Sequence, residues 1–190
     1  MPVLALTFDD GPDARFTPGL LDLLGEAGAR ATFFPIAPRA EHHPDLIARM
    51  VSEGHGVGIH CQEHVRHSTR DEAWGRRDAD RSLQCLGELG ANPQLWRTPY
   101  GDLAPWTEPV AAERNLRIVG WDVDTHDWRG DAAADMFEVT RSKLVPGAVV
   151  LAHDGIGPGG RRAGCGETLA YAGLVIEHAR TTGLTLEALT

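Results

Sequence analysis

The sequence lacks the features that mark membrane and nucleic-acid-binding proteins. No apolar run approaches the roughly 20 residues that a membrane-spanning helix needs, and no basic segment followed by a long apolar stretch suggests a secretory signal peptide. Lysine and arginine total 18 against 27 aspartates and glutamates, so the formal net charge is -9. This balance argues against nucleic acid or an anionic membrane as a partner, because both bind clustered positive charge. We therefore expect a cytoplasmic protein.

Cysteine is also scarce. Cys61, Cys85 and Cys165 form an odd set whose spacing fits neither a zinc finger nor a redox pair, so we expect reduced thiols. The 190-residue chain is 42% hydrophobic and 24% charged, and it is long enough to bury a core without disulfides. No repeat or low-complexity tract interrupts it. We expect a single domain over residues 1–190.

Short β-type runs alternate with helical patterns along the chain. The predicted strands are residues 3–8, 31–36, 56–59, 95–98, 117–123, 148–152 and 184–187. The predicted helices are residues 17–28, 44–54, 69–89, 109–115, 134–145 and 167–182. Such alternation predicts an α/β fold with parallel strands, because parallel strands need crossover connections. Seven units favour a closed or nearly closed barrel of the TIM-barrel type over the structural alternative, a flavodoxin-like open sheet.

Paired carboxylates follow the first predicted strand, in residues 7–12. Asp9 and Asp10 can be buried together only if a cation or hydrogen-bond donors offset their repulsion. Gly11 and Pro12 predict a sharp turn that can hold both side chains at the strand tip. Taken alone, the same residues also suit a solvated acidic turn.

Two histidines, His60 and His64, follow the third predicted strand. Histidines four residues apart share one face if the segment is helical, and that spacing lets both imidazoles bind one metal ion. Surface histidines are the alternative for the pair taken alone. A carboxylate from the first motif would complete a site of two histidines and one carboxylate. Such a donor set suits zinc, and also iron, cobalt or nickel.

Three further polar motifs lie at the ends of later strands. Arg97 can pair with a carboxylate and keep it ionised. Three carboxylates between Trp121 and Trp128 are unusual for a surface loop, although a capped turn with core tryptophans is the alternative. His153 ends a strand of buried type, where an imidazole is placed for acid–base chemistry. All five motifs follow successive strands, the edge at which a parallel barrel assembles its active site.

The five motifs together resemble those of a known enzyme family. In chain order they are residues 7–12, 60–64, 97–101, 124–128 and 151–153. This ordered set resembles the polysaccharide deacetylases of carbohydrate esterase family 4, over nearly the whole chain. The resemblance implies a distorted barrel of seven or eight β/α units. It also implies metal-dependent removal of an N-acetyl group from an amino sugar or small acetylated glycoside, with release of acetate.

The resemblance further implies roles for matching residues. Asp10, His60 and His64 would bind one divalent metal ion, usually zinc, with cobalt or nickel as alternatives. Asp9 would be the general base and His153 the general acid. The implied partner is a small or oligosaccharide N-acetylated substrate, and the oligomeric state is left open.

Supporting roles follow from the same resemblance. Arg97 would pair with the base, and Asp127 would orient the acid. The backbone N–H of Tyr100 would complete an oxyanion site, while Trp128 and Leu151 would wall a small pocket for the acetyl methyl group.

Some residues depart from the family pattern. Ile59 and Cys61 replace the usual asparagine and serine or threonine beside the first metal histidine, and Gly56 replaces a frequent glutamate. These changes bear on substrate fit, so another amide, such as a formamide or cyclic imide, is an alternative substrate. A catalytically silent carbohydrate-binding module is the alternative outside enzymology. The glycine-rich residues 154–168 predict either a flexible surface loop or a loop that caps the substrate.

Overall fold

The strands of the fold run parallel and are joined by helices. A computed structural model describes residues 2–190. Its strands are β1 (Val3–Asp9), β2 (Thr32–Phe34), β3 (Gly56–Val57), β4 (Leu95–Trp96), β5 (Arg117–Ile118), β6 (Val123–Asp124), β7 (Val149–His153) and β8 (Thr185–Leu186). Every pairing between them is parallel. The α/β prediction is confirmed.

Seven α-helices lie in the described residues. They are α1 (Thr17–Glu26), α2 (Ala37–His42), α3 (Pro44–Ser52), α4 (Glu72–Glu88), α5 (Thr107–Ala112), α6 (Ala133–Thr140) and α7 (Gly166–Thr182). All but α2 were predicted. Between residues 2 and 190, no helix is long and apolar enough to cross a membrane.

The ladder of paired strands shows where the sequence prediction needs correction. The main sheet has the order β3-β2-β1-β7-β6, with β8 paired to the start of β1, and β4 pairs with β5. An isolated bridge between Ile59 and Trp96 continues the order from the β3 side to β4. A single strand over residues 117–123 is wrong, because β5 pairs with β4 whereas β6 pairs with β7. Within residues 2–190 no hydrogen-bonded ladder joins β5 to β6. The ring of paired strands is therefore not closed between these two strands.

Strand β1 divides its side chains between the core and the site. Leu4, Leu6 and Phe8 are fully buried in the main hydrophobic cluster, each contributing about 1.5–3 kcal/mol of burial free energy. Successive side chains of a strand point to opposite faces, so Thr7 and Asp9 lie on the other face. The buried leucines thereby fix the position from which the carboxylate of Asp9 is presented.

The parallel register brings the motifs to one edge of the sheet. Asp9 is the register partner of His153, and Asp124 is the partner of Leu151. The carboxyl ends of β1, β6 and β7 therefore lie side by side. This places the predicted base next to the predicted acid although the two residues are 144 positions apart in the sequence.

Candidate active site

Asp10, His60 and His64 converge beyond the end of β1. The Oδ1 atom of Asp10 lies 3.3 Å from Nε2 of His60 and 3.3 Å from Nε2 of His64. Two ligand atoms bound tetrahedrally at about 2.0–2.1 Å from a zinc ion are separated by about 3.3 Å. Within residues 2–190, Oδ1 of Asp10 and Nε2 of His60 are buried and have no hydrogen-bond partner. The three side chains thus fit a shared cation, as the donor set predicted.

The chain around Asp10 is held in an unusual backbone conformation. Asp10 has a φ of 72°, in the left-handed region that non-glycine residues adopt only at a cost. The next N–H, of Gly11, donates to Asp154 at 3.1 Å, and Asp154 also accepts from Thr17 Oγ1 at 2.7 Å. A Cβ atom on Gly11 would lie 2.1 Å from Asp154. Only glycine therefore allows the turn that aims Asp10 at the histidines.

The histidine pair reaches Asp10 by a route that the sequence did not predict. Residues 58–66 form an irregular bend rather than a helix, so the shared helical face proposed for His60 and His64 is wrong, although the residues themselves meet. Asp78 of α4 accepts the N–H groups of Gln62 and Glu63 at 2.9–3.1 Å. Burial raises the pKa of Asp78 to about 6 against these hydrogen bonds, which lower it. No motif marked Asp78, because a buried acid looks ordinary in an amphipathic helix.

The second ring nitrogen of His60 is also engaged. Its Nδ1 lies 2.7 Å from the backbone oxygen of Arg97, an acceptor that requires the proton on Nδ1 and leaves Nε2 free to bind a metal. Burial raises the pKa of Asp10, but contacts with His60 and His64 outweigh burial and hold it well below its usual value. Asp10 is therefore a carboxylate, the form that ligates cations.

Asp9 and Arg97 form a buried ion pair at the end of β1. Nη1 of Arg97 donates to Oδ1 of Asp9 at 3.0 Å and to Thr7 Oγ1 at 2.6 Å. Nη2 donates to the backbone oxygen of Gly120 at 2.9 Å, and the guanidinium lies 4.4 Å above the ring centre of Phe34. Arg97 is 0% exposed. The predicted pairing is present, and the surroundings hold the carboxylate in one orientation.

His153 and Asp127 form the second charged pair. Nδ1 of His153 lies 2.7 Å from Oδ1 of Asp127, and the His153 N–H donates to Oδ2 at 2.9 Å. Burial lowers the pKa of His153, but the hydrogen bond and charge of Asp127 raise it to about 9. Burial raises the pKa of Asp127, whereas His153 and Arg162 bring it down to about 2. At neutral pH the imidazole is protonated and the carboxylate is ionised.

A cavity of about 330 Å³ lies between the two pairs. Trp128 and Leu151 line it, as predicted, together with Trp121, to which the sequence assigned no role in the pocket. Tyr100 also lines the cavity; it is 43% exposed and has a φ of 62°. Its ring meets the edge of the His64 ring at 4.6 Å between centres. The cavity therefore has charged residues at its base and aromatic walls.

The family profile of the polysaccharide deacetylases matches residues 1–119. The chain belongs to the polysaccharide deacetylase family. It is 37% identical over 167 residues to a peptidoglycan-N-acetylglucosamine deacetylase of Bacillus cereus, covering 87% of this chain and 60% of that protein. It is 36% identical over 163 residues to a chitooligosaccharide deacetylase of Sinorhizobium fredii, covering 83% of this chain and 74% of that protein.

A solved structure shows the same similarity. A family 4 carbohydrate esterase from Streptomyces lividans, in complex with acetate, superposes with a TM-score of 0.89 at 29% identity, covering 100% of this chain and 93% of that chain. The resemblance found in the five motifs is confirmed. This polysaccharide deacetylase-family chain spans 60% of the length of the Bacillus cereus relative.

The cysteines and two of the tryptophans lie outside the cavity of this family member. Cys61 is fully buried, and burial raises the pKa of its thiol well above the usual value. The three cysteines are free thiols, as expected. Trp74 and Trp106 pack around the buried ring of His67. Both tryptophans therefore belong to the packing of the hydrophobic core.

Proposed function

We propose that the chain is a metal-dependent hydrolase that removes an N-acetyl group from an amino sugar and releases acetate. One observation carries the proposal: a buried carboxylate held by an arginine and a protonated histidine held by a carboxylate face one cavity, beside an aspartate and two histidines that could hold a metal ion. A binding module has no need for both a base and an acid. The activities named for the relatives, on peptidoglycan N-acetylglucosamine and on chitooligosaccharides, support an acetylated amino sugar as the substrate.

Asp10, His60 and His64 would hold the cation. Zinc is our first expectation because two imidazoles and one carboxylate leave a coordination position open, and the same set accepts cobalt or nickel. When bound, such a cation polarises the amide carbonyl and makes water a stronger acid. Oδ1 of Asp10 and Nε2 of His60 support this assignment, because they are buried and lack a hydrogen-bond partner in the described part of the chain.

Asp9 acts as the general base. Its carboxylate accepts a proton from the water that adds to the amide carbonyl carbon, while Arg97, 3.0 Å away, keeps the carboxylate oriented. A positioned proton transfer is worth about 10²- to 10⁴-fold in rate. Because Arg97 also binds Thr7 and Gly120, the carboxylate cannot swing out of the cavity.

His153 acts as the general acid. Its Nδ1 is committed to Asp127, so Nε2 is the atom that donates a proton to the leaving nitrogen as the carbon–nitrogen bond breaks. The products are acetate and a free amine. The N–H of Tyr100 would stabilise the negative charge that develops on the carbonyl oxygen, and Trp128 and Leu151 would enclose the acetyl methyl group.

The test combines metal analysis with acetate release. We expect the purified protein to carry about one metal ion per chain and to release acetate from N-acetylglucosamine oligomers or peptidoglycan fragments. Asp9→Asn and His153→Ala should each lower kcat at least about 100-fold with the metal retained, whereas His60→Ala should lose the metal. Arg180→Gln, on the exposed surface of α7, is the matched control.

Two results would contradict the proposal. One is a wild-type protein that stays inert on every acetylated sugar after loading with zinc, cobalt or nickel. The other is activity on a formamide or cyclic imide alone, which would assign the scaffold to a different amide.

A further inference from the structure

Arg162 extends from the glycine-rich segment after β7 into the acid side of the cavity. Its side chain is 5% exposed. Nη1 donates to Oδ2 of Asp127 at 2.7 Å, while Nη2 donates to the backbone oxygens of His153 at 2.9 Å and Gly155 at 3.0 Å. The Arg162 guanidinium therefore donates both to Asp127, the carboxylate partner of His153, and to the backbone of His153 itself.

Asp127 is held by more donors than a carboxylate needs in order to be ionised. Its Oδ1 faces Nδ1 of His153, and its Oδ2 accepts from the His153 N–H, from Arg162 and from Thr168 Oγ1 at 2.7 Å. The planar guanidinium presents its donors in a rigid fork. This arrangement fixes the rotation of the carboxylate, and the carboxylate in turn fixes the imidazole plane.

We propose that Arg162 is a positioning residue for the general acid, locking Asp127 and the backbone of His153 into one unit. The inference rests on the proposed function, because it assigns to His153 the role of acid. It also gives the glycine-rich segment a task beyond covering the cavity: that segment delivers Arg162. The competing explanation is that Arg162 only anchors the segment.

The charges around His153 distinguish the two explanations. Asp127 and Arg162 lie on the Nδ1 side, and Asp9 and Asp10 act from β1 and its end. The negative charge of Asp127 interacts with both the Arg162 guanidinium and the His153 imidazole. Without the guanidinium that charge acts on His153 alone, so the pKa of His153 rises and the alkaline limb of the rate profile moves to higher pH. Loss of a mere anchor would loosen the pair and move the limb to lower pH or leave it in place.

The variants are Arg162→Gln, Arg162→Lys and the control Arg15→Gln. Arg15 contacts the same segment, at the backbone oxygen of Ala163, but it is not among the donors to Asp127. For Arg162→Gln we expect kcat to fall about tenfold with KM nearly unchanged, and the pKa of His153, followed by NMR of its imidazole, to rise by about 0.5–1 unit. Arg162→Lys keeps the charge without the fork, so it should restore the pKa while kcat stays reduced. Arg15→Gln should change neither quantity.

The outcomes separate this inference from the proposed function. A pKa that falls or stays constant in Arg162→Gln, or an equal loss of kcat in Arg15→Gln, would overturn the positioning role. The NMR titration needs no turnover. A wild-type protein without deacetylase activity whose His153 still responds to Arg162→Gln would therefore overturn the function while leaving the locked unit in place.

Discussion

The two halves of the site use the same three residue types in different ways. Each half contains an arginine, an aspartate and a threonine: Arg97, Asp9 and Thr7 in the base half, and Arg162, Asp127 and Thr168 in the acid half. In the base half the arginine directly holds the carboxylate that we propose as the general base. In the acid half it holds the carboxylate that contacts the histidine proposed as the general acid. The base half therefore has one layer of support and the acid half has two.

The halves also differ in where their arginines come from. Arg97 directly follows β4 and is 0% exposed. Arg162 comes from an irregular segment that begins at the end of β7 and ends at α7. A buried residue directly after a strand cannot move without disturbing the core, whereas an irregular segment can shift and admit water. We expect the base half to be rigid and intolerant of substitution, and the acid half to adjust its conformation when a residue is substituted.

The largest expected effect tests that difference in rigidity. Arg97→Ala leaves Asp9 as a buried charge without its cation, which costs about 3–5 kcal/mol in free energy of unfolding. Arg162→Ala should cost about 1–3 kcal/mol, because Asp127 keeps its hydrogen bonds from His153 and Thr168. Urea denaturation of the metal-free proteins measures both values. Equal losses would show that the glycine-rich segment is as rigid as the sheet.

A second prediction asks whether the segment of the acid half also shapes the metal site. A Cβ atom on Gly157 would lie 2.0 Å from Oδ2 of Asp10, so Gly157→Ala must displace either the segment or the carboxylate. We expect metal affinity to fall about 10- to 100-fold, measured by competition with a chelator. Gly173→Ala is the matched control, because the new methyl group would meet no atom within 4 Å in the described part of the chain outside the adjacent turns of α7 itself. Unchanged affinity in Gly157→Ala would separate the segment from the metal site.

A third prediction concerns pH and belongs to the acid half. The pKa of His153 is raised to about 9, so the stability that its pairing with Asp127 contributes is fully present below pH of about 6.5 and is lost as the pH rises through 9. The difference in unfolding free energy between wild type and His153→Gln should shrink over this window by at most about 1.4 kcal/mol per pH unit. Denaturation at pH 5, 7 and 9 measures it. A difference that grows with pH would contradict the ion pair.

The base half was more predictable from the sequence than the acid half. Arg97 sits in a short motif of fixed spacing, whereas Arg162 lies in a glycine-rich segment with no periodicity, 35 residues from Asp127. Its contact depends on tertiary folding, which a local pattern does not encode. For the same reason His60 and His64 were identified correctly but on a helical premise that the bend at residues 58–66 contradicts.

The fold shows the same limit. Strand–helix alternation predicted the parallel sheet, since crossover connections follow from chain geometry. The division of residues 117–123 into β5 and β6 was missed because both pieces are apolar enough to continue one strand. The separation arises from their partners, β4 and β7, which no local sequence signal specifies. Gly120, between the two strands, gives its carbonyl oxygen to Arg97 instead.

The smallest predicted effect compares the two threonines. Thr168→Val removes one of the donors to Oδ2 of Asp127 and should cost about 1 kcal/mol in unfolding free energy, with Thr168→Ser restoring it. Each threonine hydroxyl accepts from an arginine and donates to an oxygen atom: Thr7 donates to the backbone oxygen of Val150 at 2.6 Å, and Thr168 donates to Asp127. Thr7→Val should cost more, because Oδ2 of Asp127 keeps two other donors when the Thr168 hydroxyl is removed. Urea denaturation of the three variants measures the order, and a larger loss from Thr168→Val would reverse the assignment of rigid and adjustable halves.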